Sequence, residues 1–240
     1  MTTQETPRGP KATDTEVDLL VVGSGTGMGA ALAGSEEGLN VLVVEKTDVV
    51  GGSTARSGGA FWIPPNEVLR KGGAESSPEE VLTYLEAVVG DSAPKKRWEA
   101  YVENGKDTVD MLSRTTPLDF FWAEGYSDYH PENPGGSAEG RSVEAKPFDA
   151  SVLGDERGRF RPGMMEAPVP MPVTGADYKW MTLVKKSPAK GLPRVLKRAA
   201  QGVGGKVVGR EYMAGGQALA AWLFAGVISE GIPVWTRTEL

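Results

Sequence analysis

As far as Trp62 the chain alternates apolar runs with glycine-rich turns. VDLLVV, Val17–Val22, and NVLVVE, Asn40–Glu45, are dominated by valine and leucine, with little polar alternation. Such runs predict strands buried on both faces, as in a parallel sheet. Between them, GSGTGMG (Gly23–Gly29) predicts a turn, and AALAGSEEG a short helix ending at Gly38. Strand, glycine turn, helix and strand make a βαβ unit. Further along, SSPEEVLTYLEAVVG offers Ser77 as N-cap, Pro78 at the first helical position and Glu80 at the third, a capping box. The stretch from about Lys96 to Arg114 has the spacing of an amphipathic helix, and LDFFW (Leu118–Trp122) reads as a strand. Asp128 to Pro172 is rich in proline and glycine and has no clear period; loops of that length are usually functional or mobile. Lys179 to Arg210 holds nine Lys and Arg and reads as a solvated helical face, not a nucleic-acid site. Gly215–Gly231 is apolar on all sides and reads as a buried helix, and PVWT then opens a strand. The chain reaches Leu240 a short step later, an ending expected to be a cut.

The fold class that follows is α/β with a parallel sheet. Its βαβ core covers 17–60, a helical and loop-rich insertion covers about 65–205, and the chain returns to the core over 206–240. Composition narrows the chemistry. The chain has 240 residues, 40% of them hydrophobic, with a net charge of -6 and a pI near 5.1. An acidic balance argues against a nucleic-acid partner. There are no cysteines and one histidine, His130. Disulfides, thiolate metal sites and cysteine nucleophiles are excluded, no metal site is expected, and a reducing cytoplasm fits. The polar stretch 1–15 predicts a disordered tail without the apolar segment of a signal peptide. No apolar run has the roughly 18 residues a membrane span needs.

In a dinucleotide-binding turn the first glycine makes the bend. The second lets a pyrophosphate approach, and the third lets helix and strand pack closely. Gly23 and Gly25 fill the first two places. The third falls on Met28, between Gly27 and Gly29, so a contracted turn would pass the role to one of those glycines. Glu45 ends the second strand, at the spacing from the glycine turn where an acid hydrogen-bonds ribose hydroxyls. This turn does not separate NAD from FAD. GGSTARSGGAFW, Gly51–Trp62, does: a second glycine loop beyond the second strand leaves bare backbone for a flavin. Ser53, Thr54 and Ser57 supply hydroxyls to it.

These residues resemble a known family. VVGSGTGMGAALA and GLNVLVVEK, followed by GGSTARSGGAFWIP, look like the flavoproteins that include fumarate reductases and 3-ketosteroid dehydrogenases. GYSDYHPENPGGSAEGRSVEAKPFD, Gly125–Asp149, is similar to the 3-ketosteroid Δ1-dehydrogenases, FAD enzymes that place a C1–C2 double bond in the steroid A ring. The resemblance implies the N-terminal portion of a Rossmann-like FAD-binding domain that is split around a catalytic domain absent from this chain. It implies FAD contacts from Gly23, Ser24, Gly25, Thr26, Gly27 and Met28, from Glu45 and Lys46, and from Gly51, Gly52, Ser53, Thr54, Arg56, Ser57, Gly58 and Gly59. It also implies that Tyr129 assists a second tyrosine, beyond Leu240, that takes the C2 proton while a hydride leaves C1 for flavin N5. Tyr126 competes for that role, and His130 is expected to be a surface residue or a supporting one. A steroid substrate and an unspecified electron acceptor are the expected partners. Three alternatives stay open: oxidation of 5α-steroids at C4–C5, a dicarboxylate substrate, and a non-catalytic flavin-binding remnant.

Overall fold

The computed structural model describes residues 15–163 and 170–240; the tail expected over 1–15 lies outside them except for Thr15. β1 (Leu19–Val22), α1 (Gly27–Glu36) and β2 (Val41–Val44) form the expected βαβ unit. β1 and β2 pair in parallel, Leu19 opposite Val41 and Val22 opposite Val44. The second, β2, is buried at every position. The first is not buried on both faces as expected: Leu20 and Val22, which share one face, are exposed because no element covers that face among the described residues. The helical turn begins at Gly27, so the glycine bend is confined to Gly23–Thr26.

Next come β3 (Ala60–Trp62), α2 (Glu67–Gly72), α3 (Pro78–Val89), α4 (Lys95–Thr115) and β4 (Phe120–Trp122). The capping box of α3 forms as its sequence predicts: Ser77 Oγ accepts from the Glu80 amide, and the Glu80 carboxylate accepts from the Ser77 amide. The proline- and glycine-rich stretch after Asp128 is not one long loop. Its described part holds β5 (Ser142–Ala145), β6 (Phe148–Asp149) and a 3-10 segment, Ala150–Arg159. β5 is the middle strand of an antiparallel sheet, between β3 and β4. All four of its residues are buried, including Ser142 and Glu144, so its polar–apolar alternation over only four residues does not correspond to a solvent-facing side.

α5 (Gly175–Thr182) and α6 (Pro188–Val207) pair with each other. β7 (Tyr212–Met213) joins β6 and leads into α7 (Gly215–Ser229), and β8 (Val234–Trp235) returns to lie parallel to β2. α7 is the central element of the core. Ala218, Ala220, Ala221, Phe224 and Val227 are wholly buried in one cluster with Leu32 of α1, Phe148 and Phe160. Burial of one such side chain as large as Phe224 is worth about 1.5–3 kcal/mol. No helix among the described residues is long and apolar enough to cross a membrane.

Candidate functional site

A cleft of about 670 Å³ opens at the C-terminal ends of β1 and β2. In parallel α/β sheets this is where ligands bind. Gly23, Glu45, Lys46, Gly52, Ser53 and Arg56 line it, together with Thr47, Arg161 and Thr238–Leu240. Three cations, Lys46, Arg56 and Arg161, thus share one opening. The N-terminus of α1 lies beside it, with no acidic residue in its first turn and no side-chain cap. That leaves a positive helix end open to an anion.

Glu45 sits at the floor. Its Oε2 accepts from the Ser24 amide (3.0 Å) and hydroxyl (2.7 Å), and its Oε1 from the Thr47 amide and hydroxyl (both 2.9 Å). Burial alone would raise its pKa, but these bonds outweigh burial and hold the carboxyl below its ordinary value. All four acceptor directions are engaged, yet one is exchangeable. The Thr47 hydroxyl has a single proton, and Val49 O lies 2.8 Å from it. If that proton turns to Val49, Glu45 Oε1 keeps the Thr47 amide and has one acceptor direction open for a ribose hydroxyl. Arg161 donates to Thr47 Oγ1 at 3.0 Å, and its buried Nε has no hydrogen-bond partner among the described residues. Cations, an open helix end and a releasable carboxylate oxygen fit a dinucleotide with its diphosphate.

The two glycine loops touch each other. Ser24 Oγ accepts from the Gly51 amide at 3.1 Å, so one fully buried hydroxyl ties the first loop, the acid and the second loop together. A Cβ on Gly25 would come within 3.1 Å of Thr54 Oγ1, and a Cβ on Gly52 within 3.1 Å of Gly25 Cα. The helix–strand contact assigned to the third glycine of the turn belongs to Gly27, whose Cβ would press on Val21 at 2.9 Å. Met28 is fully buried in the core. The Ser24 and Met28 side chains are fully buried, which leaves the backbone of these two residues for any contact with a cofactor. Thr26 and Ser53 are exposed, while Gly51, Thr54 and Gly59 are buried. Thr54–Arg56 forms a 3-10 turn against α7. A Cβ on Gly59 would overlap Gly215 and Gly216 backbone atoms. The Ser57 hydroxyl donates to Thr54 O and accepts from the Gly59 amide, so it holds the loop itself. Among the glycines of the two loops, only Gly23 and Gly58 have open space where a Cβ would stand, and Gly58 is exposed.

Tyr129 lies outside the cleft, in the turn before β5. It is 84% exposed, so it packs against no core. Both of its neighbours are pinned. Asp128 is buried and accepts from Trp62 Nε1 (2.8 Å), the Ser137 amide (3.1 Å) and the Arg141 guanidinium. Arg141, equally buried, lies over the rings of Trp62 and Tyr84 and donates to Gly135 O. The His130 amide donates to the Tyr84 hydroxyl at 3.2 Å. Tyr129 is thus held out on a fixed support. Tyr126 has a raised pKa, first through its hydrogen bond with Tyr129, then through burial. His130 is exposed beside Glu132, as expected. Asp128, Arg141, Thr47 and Arg161 were missed by sequence reasoning. A charged pair separated by an aperiodic stretch gives no local signal, and neither does a lone arginine.

The fold and the cleft define a class. Residues 18–240 match the FAD binding domain family, and the chain belongs to that family, with FAD as its cofactor. Within it, the chain is 42% identical over 229 residues to a 3-oxosteroid 1-dehydrogenase of Mycolicibacterium smegmatis. That match covers 95% of this chain and 40% of the relative. A 3-oxosteroid 1-dehydrogenase of Mycobacterium tuberculosis is 41% identical over 224 residues, covering 93% and 40%. The solved 3-ketosteroid delta1-dehydrogenase of Sterolibacterium denitrificans, in complex with 1,4-androstadiene-3,17-dione, superposes with a TM-score of 0.81 at 30% identity, covering 92% and 40%. The chain spans about 40% of the length of these relatives.

Proposed function

We propose that this chain is the FAD-holding portion of a dehydrogenase that introduces the C1–C2 double bond into 3-ketosteroids. The observation that carries the reading is the 42% identity over 229 residues to a 3-oxosteroid 1-dehydrogenase, which spans both glycine loops and the tyrosine turn. The core strands and the intervening insertion are read as one part of a split flavin domain. The lack of cysteine suits a reducing compartment, the cytoplasm.

The residues divide the work as follows. Gly23, Gly25 and the start of α1 receive the diphosphate, with Lys46, Arg56 and Arg161 supplying positive charge. Glu45 accepts from the ribose. The exposed backbone and side chains around Ser53 and Gly58 lie along the flavin half. When bound, FAD supplies the hydride acceptor, and an electron acceptor restores it. Tyr129 holds the proton side of the reaction. A tyrosine near pKa 10 is a weak base alone, and a second hydroxyl bonded to it eases loss of the proton.

The test joins this chain to the remaining length of its relatives and assays androst-4-ene-3,17-dione with an artificial electron acceptor. A protein that holds FAD and forms no dienone refutes the steroid reading. Tyr129→Phe in that protein is expected to lower turnover about tenfold or more. Turnover within about twofold of the parent removes Tyr129 from the proton path.

A further inference from the structure

The second glycine loop and the tyrosine turn are tied together by one hydrogen bond. Gly58, the open position of the loop, is followed by Gly59, which is locked against the Gly215 and Gly216 backbone. The three-residue strand β3 starts at the next residue and ends at Trp62. There the indole N–H donates to Asp128 Oδ1 at 2.8 Å, across 66 residues of chain. Asp128 is the residue before Tyr129. A short strand and one bond therefore connect the loop to the backbone of Tyr129.

Both ends of this strut are braced. The Trp62 ring stacks on Tyr101, whose hydroxyl donates to Trp62 O. β3 pairs with β5, with Trp62 opposite Ser142, which places Arg141 beside the indole. The Arg141 guanidinium lies 5.3 Å from the Trp62 ring and 5.1 Å from the Tyr84 ring. It holds the second oxygen of Asp128 while the first accepts from Trp62. The Asp128 amide donates to Ser137 O at 3.0 Å, and the His130 amide to the Tyr84 hydroxyl, so the backbone is pinned on both sides of Tyr129. A buried ion pair is a poor source of stability, since apolar residues of the same volume often replace it without loss. What the carboxylate adds is direction, because each of its bonds fixes an angle as well as a distance. Tyr129 itself is exposed and makes no packing contact with the core that could hold it.

We propose that Trp62 and Asp128, braced by Arg141, are positioning residues: they fix where Tyr129 stands relative to the flavin-side loop. The use made of that spacing rests on the steroid reading, in which hydride and proton leave neighbouring carbons of one substrate. Displacing a reacting group by about 1 Å can cost up to about a hundredfold in rate, so a strut between the two acceptors bears on turnover and not on cofactor binding.

The test is a double-mutant cycle in the chain joined to the remaining length of its relatives, with androst-4-ene-3,17-dione as substrate. Trp62→Phe removes the indole donor and keeps an aromatic ring beside Arg141. It is expected to lower kcat about tenfold, with KM and FAD affinity within about twofold of the parent. In a Tyr129→Phe background the same change should alter kcat by less than about twofold, because the strut acts through Tyr129. A tenfold loss in both backgrounds overturns the proposal, since a purely structural defect acts on both. So does a Trp62→Phe protein with the parent's kcat. Hydrogen exchange at the Asp128 and His130 amides of the present chain gives a reading that needs no turnover. Trp62→Phe should speed it about tenfold and leave exchange in α7 at the parent's rate; unchanged exchange at these two amides overturns the proposal. A joined protein that holds FAD and forms no dienone, or a Tyr129→Phe protein with the parent's turnover, refutes the reading of the reaction. The exchange rates alone then uphold or overturn the strut.

Discussion

Gly59→Ala and Gly58→Ala separate two demands for glycine in one loop. Gly59 has φ +79, and a Cβ there would overlap the Gly215 and Gly216 backbone and stand 2.5 Å from Gly215 O. Left-handed backbone costs a residue with a side chain about 1–2 kcal/mol. Forcing a methyl group into a packed site adds about 1–3 kcal/mol, and here the neighbours are backbone, which cannot rotate aside. The expected loss is about 2–5 kcal/mol, against a total stability of about 5–15 kcal/mol for a typical domain. Gly58, one residue earlier, has ordinary backbone angles and nothing within 4 Å of where its Cβ would stand. Gly58→Ala should change stability by no more than about 0.5 kcal/mol. If the flavin half of the cofactor runs along this backbone, the added methyl group meets FAD and weakens its binding about tenfold. Urea denaturation followed by tryptophan fluorescence gives the first quantity, and titration with FAD, read by quenching of flavin fluorescence, gives the second. A Gly59→Ala protein with the parent's urea midpoint refutes the packing argument. A Gly58→Ala protein with the parent's FAD affinity refutes the close approach of the cofactor.

Arg141→Met leaves the Asp128 carboxylate buried with only the Trp62 and Ser137 donors, and should cost about 3–5 kcal/mol by urea denaturation. Adding Asp128→Asn should recover part of that loss; no recovery would show that the two residues do not act as a pair. Glu45→Gln should cost about 1–3 kcal/mol at neutral pH. Because the Glu45 pKa is lowered in the fold, the stability it contributes is present above its ordinary value of 4.5 and is lost as pH falls through the lower folded value. Melting temperatures of the two proteins should therefore converge in acid. Glu144 behaves in the opposite way. Burial raises its pKa despite the Gly175 and Ala176 amides, so its contribution is present in acid and is lost as pH rises through the folded value. Glu144→Gln should gain on the parent as pH rises from acid to neutral, and a constant difference over that range would contradict the burial argument.

The elements that rest on short-range rules were legible in the residue order. Apolar runs made β1 and β2, a serine, a proline and a glutamate at fixed offsets made the start of α3, and an all-apolar segment made α7. The glycine turn and the acid at the end of the next strand pointed to the nucleotide cleft, because a βαβ unit brings those two points together through its own geometry. Distant contacts decided the rest. Whether Gly59 serves a cofactor or a neighbouring helix depends on α7, which begins far along the chain at Gly215. The strand β5 hides its polar residues because Glu144 finds the Gly175 amide and Ser142 a buried place in a central strand. Nine cations in a helical stretch read as a solvated face; only the fold, by turning the glycines of α6 inward, put its leucines and valines outside. Period and composition record what a segment has to bury. Which face it buries is set by the partner it meets, and that partner is chosen by the whole chain.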